Sequence, residues 1–332
     1  MRIANVSLFL IIWILSAAAL CSCSSRGDPP PIGRKVSVIL RFDTGMPVFF
    51  GRDSCIYHIR NDFPGENIIR RYLIRAYPET GDNRSEPMAE WKFYLGNTTD
   101  PDCTIELKRC PTESCRLVIW SDYVADTFSD MHYLTDDFSD ILLLGDNGHS
   151  GSDESRDVFR GSGSVNQSQD STIIMMSRPT AKYIITATNL KTILEADDSP
   201  GKSVNGKPDW SRYAARIFYT GYMPCAYNLF GDHPSDSRTG VSFESSLRQL
   251  GKDELRLGYD YVFVSNYATA VTLYIGIFRR DTGKLLAEIP SLEVPLEREG
   301  KTILEVPLQH PGGGGGPGID PSFDGTINVP VD

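Results

Sequence analysis

The stretch Arg156-Asp157-Val158-Phe159-Arg160-Gly161-Ser162-Gly163-Ser164-Val165 sets charged side chains against alternating glycine and serine. Glycines that bare backbone N–H groups beside arginines are one way a chain grips phosphate, and that chemistry would make the protein a nucleotide enzyme. It has positional requirements. An apolar strand should lead into the glycines and a helix should open after them, so that helix amides face the anion. Here Gly148 to Arg156 is polar, and Asn166-Gln167-Ser168-Gln169-Asp170 starts no amphipathic helix. Neither a third glycine nor a Gly-Lys-Ser/Thr ending is present. The stretch therefore reads as a loop, within a polar segment 145–171, whose glycines allow tight backbone turns.

Other chemistry is equally thin. The five histidines, His58, His132, His149, His233 and His310, form no His-x-x-x-His pair and read as surface residues. No Gly-x-Ser-x-Gly elbow occurs. The acidic segments 135–140 and 146–157 could feed oxygen ligands to calcium, but their spacing does not fit the twelve-residue helix-loop-helix loop, and solvated acidic loops are the simpler expectation. Paired carboxylates for glycoside cleavage cannot be picked from 43 acidic residues without geometry. The sequence nominates no catalytic residue, no metal ligand, no ligand-binding residue and no cofactor, and an enzyme is not expected.

The cysteines are more informative. Leu8 to Leu15 is an apolar run behind Arg2, followed by Ser16-Ala17-Ala18-Ala19, which reads as an export signal over 1–22 and is shorter than the roughly 20 apolar residues that span a bilayer. Leu20-Cys21-Ser22-Cys23 then places a cysteine after a small residue with Leu three positions before it, the pattern of a bacterial lipobox, and makes Cys23 the candidate lipidation site. Acyl chains there would tether the protein to a membrane. Residues 23–34, with three consecutive prolines at 29–31, read as a stiff tether. Among the remaining cysteines, Cys110 and Cys115 flank Pro111-Thr112-Glu113-Ser114, a turn signal between two strand-like runs, so a disulfide across a hairpin is the expectation for an exported chain. A zinc site is not supported, because no second Cys or His pair sits at ligand spacing.

The chain has 332 residues and a formal net charge of −10, with no basic stripe. Nucleic acid is disfavoured as a partner, since neutralising phosphates supplies most of such affinity. About 300 folded residues exceed one comfortable core, which predicts two domains. Short strand-like runs separated by turn residues fill both: Val36 to Phe42, which alternates apolar and polar, then 72–77, 91–95, 104–107, 116–120 and 172–176. The pattern restarts at 181–186, with a short helix expected at 190–196 capped by Asn189, strands at 214–220 and 241–247, a helical turn near 252–255, and strands at 259–264, 270–278 and 301–308. Residues 312–316 are five glycines, and 325–331 could be one more extended segment. An antiparallel all-β sandwich architecture follows.

Several segments together resemble a known group. Tyr72 to Tyr77 (Tyr-Leu-Ile-Arg-Ala-Tyr), Leu117 to Tyr123 (Leu-Val-Ile-Trp-Ser-Asp-Tyr), Arg156 to Gly163, Ser177 to Lys182 (Ser-Arg-Pro-Thr-Ala-Lys), Phe218 to Pro224 and Gly258 to Val264 follow the lipobox in an order that resembles Bacteroides-type fimbrillin-like lipoproteins. The resemblance implies two tandem transthyretin-like, Greek-key β-sandwich domains at 35–177 and 178–310, with 311–332 as a linker and terminal extended segment. It also implies a lipid-anchored protein of the outer membrane, exposed at the surface. Its role would lie in fimbrial assembly, anchoring or adhesion, with fimbrial subunits or host and matrix proteins as partners, joined by β-augmentation at sheet edges. The alternative is a glycan-binding surface lipoprotein, with Trp91, Trp210, Tyr213, Tyr222 and Tyr227 as candidate stacking aromatics.

Overall fold

A computed structural model describes residues 33–42, 68–79, 86–95, 102–111, 113–127, 129–145, 149–199, 203–204, 206–252 and 254–312. The signal segment, Cys23, most of the tether, Cys55, His58 and the terminal segment 313–332 lie outside the described residues. The described chain is all-β.

The first half is one seven-stranded sheet. It comprises β1 (Arg34–Phe42), β2 (Ile69–Pro78), β3 (Ala89–Leu95), β4 (Asp102–Cys110), β5 (Cys115–Val124), β8 (Phe159–Val165) and β9 (Ser171–Ser177), in the order β3-β2-β5-β8-β9-β1-β4. The alternation in β1 does what its period dictates: Val36, Val38 and Leu40 are fully buried and Phe42 nearly so. They meet Tyr72 and Ile74 of β2, Ile105 and Leu107 of β4, Leu117 and Ile119 of β5, and Ile174 and Met176 of β9 in a single core. The sheet curls around this core until its two ends face each other, and Trp91 Nε1 on β3 donates to the Lys108 carbonyl on β4 at 2.8 Å.

The second half is built from β10 (Thr180–Ala187), α1 (Lys191–Ala196), β11 (Ser203–Val204), β12 (Lys207–Pro208), β13 (Tyr213–Tyr219), β16 (Ser242–Ser246), β17 (Arg248–Gln249), β18 (Leu255–Phe263), β19 (Thr269–Arg279), β20 (Leu285–Leu296) and β21 (Lys301–Val306). Two four-stranded sheets, β17-β18-β10-β21 and β16-β13-β19-β20, contribute to one core. Both halves close the same way: the opening strand pairs in parallel with the closing one, β1 with β9 and β10 with β21.

A further sheet draws on both halves. β6 (Tyr133–Leu134) and β7 (Ile141–Leu143) come from the first, and β14 (Met223–Asn228) and β15 (His233–Arg238) from the second, in the order β15-β14-β7-β6. Tyr227 pairs with Ile141 and Ala226 with Leu142. Meanwhile Leu73 of β2 with Val118 and Trp120 of β5 point away from their own core and join that of the second half. β2 and β5 are thus covered on both faces, which is why 117–124 reads as a nearly unbroken buried run.

Several expectations need correction. Residues 159–165 are strand, not loop: β8 pairs with β5 from Cys115↔Val165 to Ser121↔Phe159. Its glycines are there for close approach. A Cβ at Gly161 would lie 2.5 Å from Met176 Sδ and 2.9 Å from Ile174 Cγ2 on the neighbouring strand. The strands joined by 111–114 are not a hairpin, since β4 lies at one end of the sheet and β5 between β2 and β8. Leu190, not Asn189, stands at the N-cap position of the helix, and no side chain caps it. Asn189 instead uses its side-chain amide as a strand mimic, accepting from Leu308 N at 2.7 Å and donating to Leu308 O at 2.8 Å. The turn expected at 252–255 gives way to β18, which starts at Leu255.

Candidate functional site

The segments that carried the family resemblance converge in space. Between β7 and β8, a single 3-10 turn at Glu154–Arg156 is started by Asp153, whose carboxylate accepts from the Ser155 amide. The turn points Glu154, Arg156 and Asp157 into the junction between the halves, where all three are buried. Arg178, in the short link between β9 and β10, donates Nε to Asp157 Oδ1 at 2.7 Å and Nη2 to Asp157 Oδ2 at 3.0 Å. This is the bidentate geometry that suits guanidinium and carboxylate. The same guanidinium lies 4.4 Å over the Phe159 ring.

Lys182 on β10 reaches Glu154 with Nζ 2.6 Å from Oε1 and 2.8 Å from Oε2, and Tyr261 on β18 donates to Oε2 at 2.6 Å. Burial pushes the Lys182 amine below its usual range, against the pull of the Glu154 charge. Next to it, Asp260 accepts from Tyr219 OH at 2.7 Å and lies 2.5 Å from His149 Nε2. Arg156 Nε stands 3.5 Å from Asp260 Oδ1. Burial raises the Asp260 carboxyl, but His149 beside it, the Arg156 charge and the hydrogen bonds from His149 and Tyr219 outweigh it and hold the pKa low. Burial and Arg156 together lower His149. A neutral His149 with its proton on Nε2 satisfies both neighbours: Nε2–H donates to Asp260, and Nδ1 accepts from Arg156 Nη1 at 3.1 Å. Tyr183 and Tyr219 share a hydrogen bond at 2.9 Å, His132 Nε2 meets Ser155 Oγ at 2.7 Å, and Tyr133 OH donates to the Arg156 carbonyl at 2.7 Å. Farther along β5, Arg71 clamps Asp122 through two bonds of 2.8 and 2.6 Å.

What this arrangement can do chemically follows from its enclosure. Asp157 and Asp260 have no solvent exposure, and Arg156 and Arg178 only 2 % each. A substrate has no approach to the reactive atoms, and each charge faces a partner of opposite sign. The cluster holds two halves of a chain in one orientation.

The residues singled out from sequence are scattered by comparison. Cys23 lies outside the described residues. Cys110 and Cys115 stand as free thiols, both fully buried in the core of the first sheet and hydrogen-bonded to each other. Among the aromatic glycan candidates, Tyr213 and Tyr227 are fully buried, and their hydroxyls donate to Asp197 and Asp232. Trp91 and Trp210 are half-buried and tied to Lys108 O and Gln249 Oε1. Tyr222 alone of the five stands out in solvent, at 73 %. His132 and His149 are not surface residues, and 153–157 is not a solvated acidic loop, because each of these groups has its counter-group inside. Among the described residues, no three His, Cys, Asp or Glu side chains gather as metal ligands.

Sequence reasoning missed Glu154, Lys182, Tyr219 and Asp260 as a unit. A usable signal was present: Lys182 and Asp260 are charged residues inside otherwise apolar strand runs, and a charge that must be buried requires a partner.

No curated protein matches the sequence. In fold, the chain is similar to a candidate cell adhesion protein from Bacteroides eggerthii (TM-score 0.44, 11 % identity, 90 % of this chain and 94 % of that one). It is also similar to the fimbrial anchor protein Mfa2 from Porphyromonas gingivalis (0.37, 10 %, 77 % and 82 %) and to a candidate polysaccharide-binding protein from Bacteroides thetaiotaomicron (0.42, 10 %, 77 % and 80 %). The family model described as "Family of unknown function (DUF6562)" matches residues 50–332, so the chain belongs to that family.

Proposed function

We propose that this is a non-catalytic cell-surface protein of the fimbrial and adhesion kind, which acts in assembly, anchoring or attachment through protein–protein contact at a sheet edge. The observation that carries the reading is β21. It is the last strand of β17-β18-β10-β21, pairs only with β10 among the described residues, and turns Ile303 outward at 57 % exposure. An edge strand presents unpaired N–H and C=O groups, and an outward isoleucine gives an incoming strand an apolar contact. The ionic cluster supports the same reading, since its charged groups are used to fix the two halves together and are closed to substrate. Cys23 would carry the lipid, and the mature chain would sit at the outer membrane with its two halves, 35–177 and 178–310, projecting from it.

Immobilised protein should capture purified fimbrial subunits or extracellular-matrix proteins, and Ile303→Lys should weaken capture at least about tenfold, the equivalent of 1.4 kcal/mol. Failure to bind any of them would sink the adhesive reading; equal capture by Ile303→Lys would move the contact away from β21. Cys23→Ser should abolish incorporation of labelled palmitate and release the protein from the membrane fraction. Palmitate incorporation that survives the change would remove Cys23 as the lipid site.

A further inference from the structure

We propose that Cys110 and Cys115 form a disulfide that ties β4, an end strand of the curled first sheet, to the interior strand β5. The pair was expected across a hairpin, but its place in the fold is different and more consequential. β4 is the outermost strand beside β1, while β5 is the third strand from the opposite end, paired to β2 and β8. A bond between the two cysteines therefore joins two strands that share no backbone ladder.

The local backbone is bent to bring the two thiols together. From Arg34↔Cys110 to Val36↔Leu107, two steps along β1 are matched by three along β4, which is a bulge. Inside it Arg109 takes φ 60°, a left-handed conformation costly for a side chain of this size. Gly33 packs so close to Arg109 that a Cβ there would lie 2.4 Å from its Cα. The bulge turns Cys110 inward, where it and Cys115 are both without solvent exposure and Cys115 S–H donates to Cys110. The Arg34 charge acts on both thiols. Its guanidinium is held at 2.5 Å by the Gln167 carbonyl and at 2.8 Å by that of Gln169. The hydrogen bond from Cys115 lowers the Cys110 thiol, burial opposes this, and Arg34 adds to the lowering; the same bond and burial raise Cys115.

The oxidant is a disulfide-bearing thiol oxidant of the export compartment, protein or low-molecular-weight. The thiolate of one cysteine attacks one sulfur of that disulfide, forming a mixed disulfide and expelling one oxidant thiolate. The other cysteine, once deprotonated, attacks the sulfur of the first, closing the Cys110–Cys115 bond and expelling the second oxidant thiolate. Two electrons pass to the oxidant and the two cysteine protons are released. Because both sulfurs end buried, exchange takes place before this end of the sheet closes, and the finished bond is shielded from reductant.

The test uses the full chain exported to a bacterial periplasm, denatured in alkylating reagent without reductant. Both cysteines fall in one tryptic peptide, 110–116, because Arg109 and Arg116 bound it. An unalkylated peptide lighter by about 2 Da, the loss of two hydrogens on forming one S–S bond, is expected. A peptide alkylated at both cysteines, or one bridged to Cys55, would overturn the proposal. In a second measurement, reduction should lower the urea midpoint of the wild type and leave that of Cys110→Ala/Cys115→Ala unchanged. An equal response in both proteins would also overturn it. If the double variant does not fold, the peptide measurement decides alone.

Discussion

Asp157→Asn tests the idea that the junction between the halves is held by ionic pairing. The substitution keeps size and one acceptor oxygen but removes the charge that Arg178 meets at 2.7 and 3.0 Å. Arg178 is 2 % exposed and its pKa is raised, with the Asp157 charge and hydrogen bond outweighing the cost of burial, so it stays protonated. An uncompensated buried guanidinium costs about 3–5 kcal/mol. Against a usual domain stability of about 5–15 kcal/mol that is a large loss, and with a urea slope of about 1–3 kcal/mol/M the midpoint should fall by at least about 1 M. Replacing both partners by apolar residues, Asp157→Leu with Arg178→Met, removes the stranded charge, and such exchanges run from neutral to stabilising. A thioether at 178 also packs acceptably on Phe159. The double variant should therefore recover most of the loss, giving a coupling well above 1 kcal/mol in a double-mutant cycle. Tryptophan fluorescence is a suitable readout, because Trp120 is fully buried in the core beside the junction. Arg178 also sits in the link from β9 to β10, so Asp157→Asn should accelerate proteolytic cleavage near 177–180. A single variant within about 1 kcal/mol of wild type, or a double variant no better than the single, would refute the reasoning.

Three further outcomes are expected. Gly161→Val should cost about 1–3 kcal/mol by overpacking against Met176 and Ile174, while Ser162→Val, whose side chain projects outward from the same strand, should change the thermal midpoint little. Stability should fall on acidification below about pH 6.5. His149 has a pKa lowered by burial and by Arg156, so the unfolded chain takes up the proton first, and the loss accumulates as pH drops from the ordinary value of 6.5 toward the depressed one. His149→Gln should flatten urea-derived stability across that window, and an unchanged slope would exclude His149 as its source. Trp120→Ala should cost about 3–5 kcal/mol, measured by urea unfolding followed by circular dichroism, because this side chain fills space between the halves.

Much of the strand content was legible because half-buried strands announce themselves by alternation. Val36 to Phe42 is the clear case: inward valines and leucine, outward polar residues, and a strand found where expected. The strands at 213–219 and 269–279 were legible as apolar runs rich in branched and aromatic residues, and the short helix at 191–196 lies where a helix was expected, though Asn189 does not cap it. Partnering was not. Nothing in the composition of β1 says that it runs parallel to β9, about 130 residues later, because register over that distance depends on the curl of the entire sheet. Nor does Arg160-Gly161-Ser162-Gly163-Ser164 advertise a strand, since its glycines lack the branched side chains that mark one. Their reason for being there lies on the adjacent strand, in the bulk of Ile174 and Met176.

The same limit explains why 156–165, read as a loop once a phosphate grip was set aside, did not show its buried ionic partners. Arginine and aspartate beside glycine look alike in sequence whether the arginine faces a phosphate or a carboxylate of its own chain. What separates the cases is whether the segment is open to a ligand, and that depends on Arg178, Lys182 and Asp260, which arrive from 20 to 100 residues away. These three occupy otherwise apolar strands or the link leading into one, where a charge is affordable only with a counter-charge in place. Charged residues embedded in apolar runs are thus the part of a buried network that sequence can reveal. In this chain, Asp122 between Trp120 and Tyr123, Lys182 before Tyr183-Ile184-Ile185, and Asp260 between two tyrosines point together to an internal ionic joint. The choice between that joint and a catalytic centre is made by enclosure, and at Asp157 and Asp260 enclosure is complete.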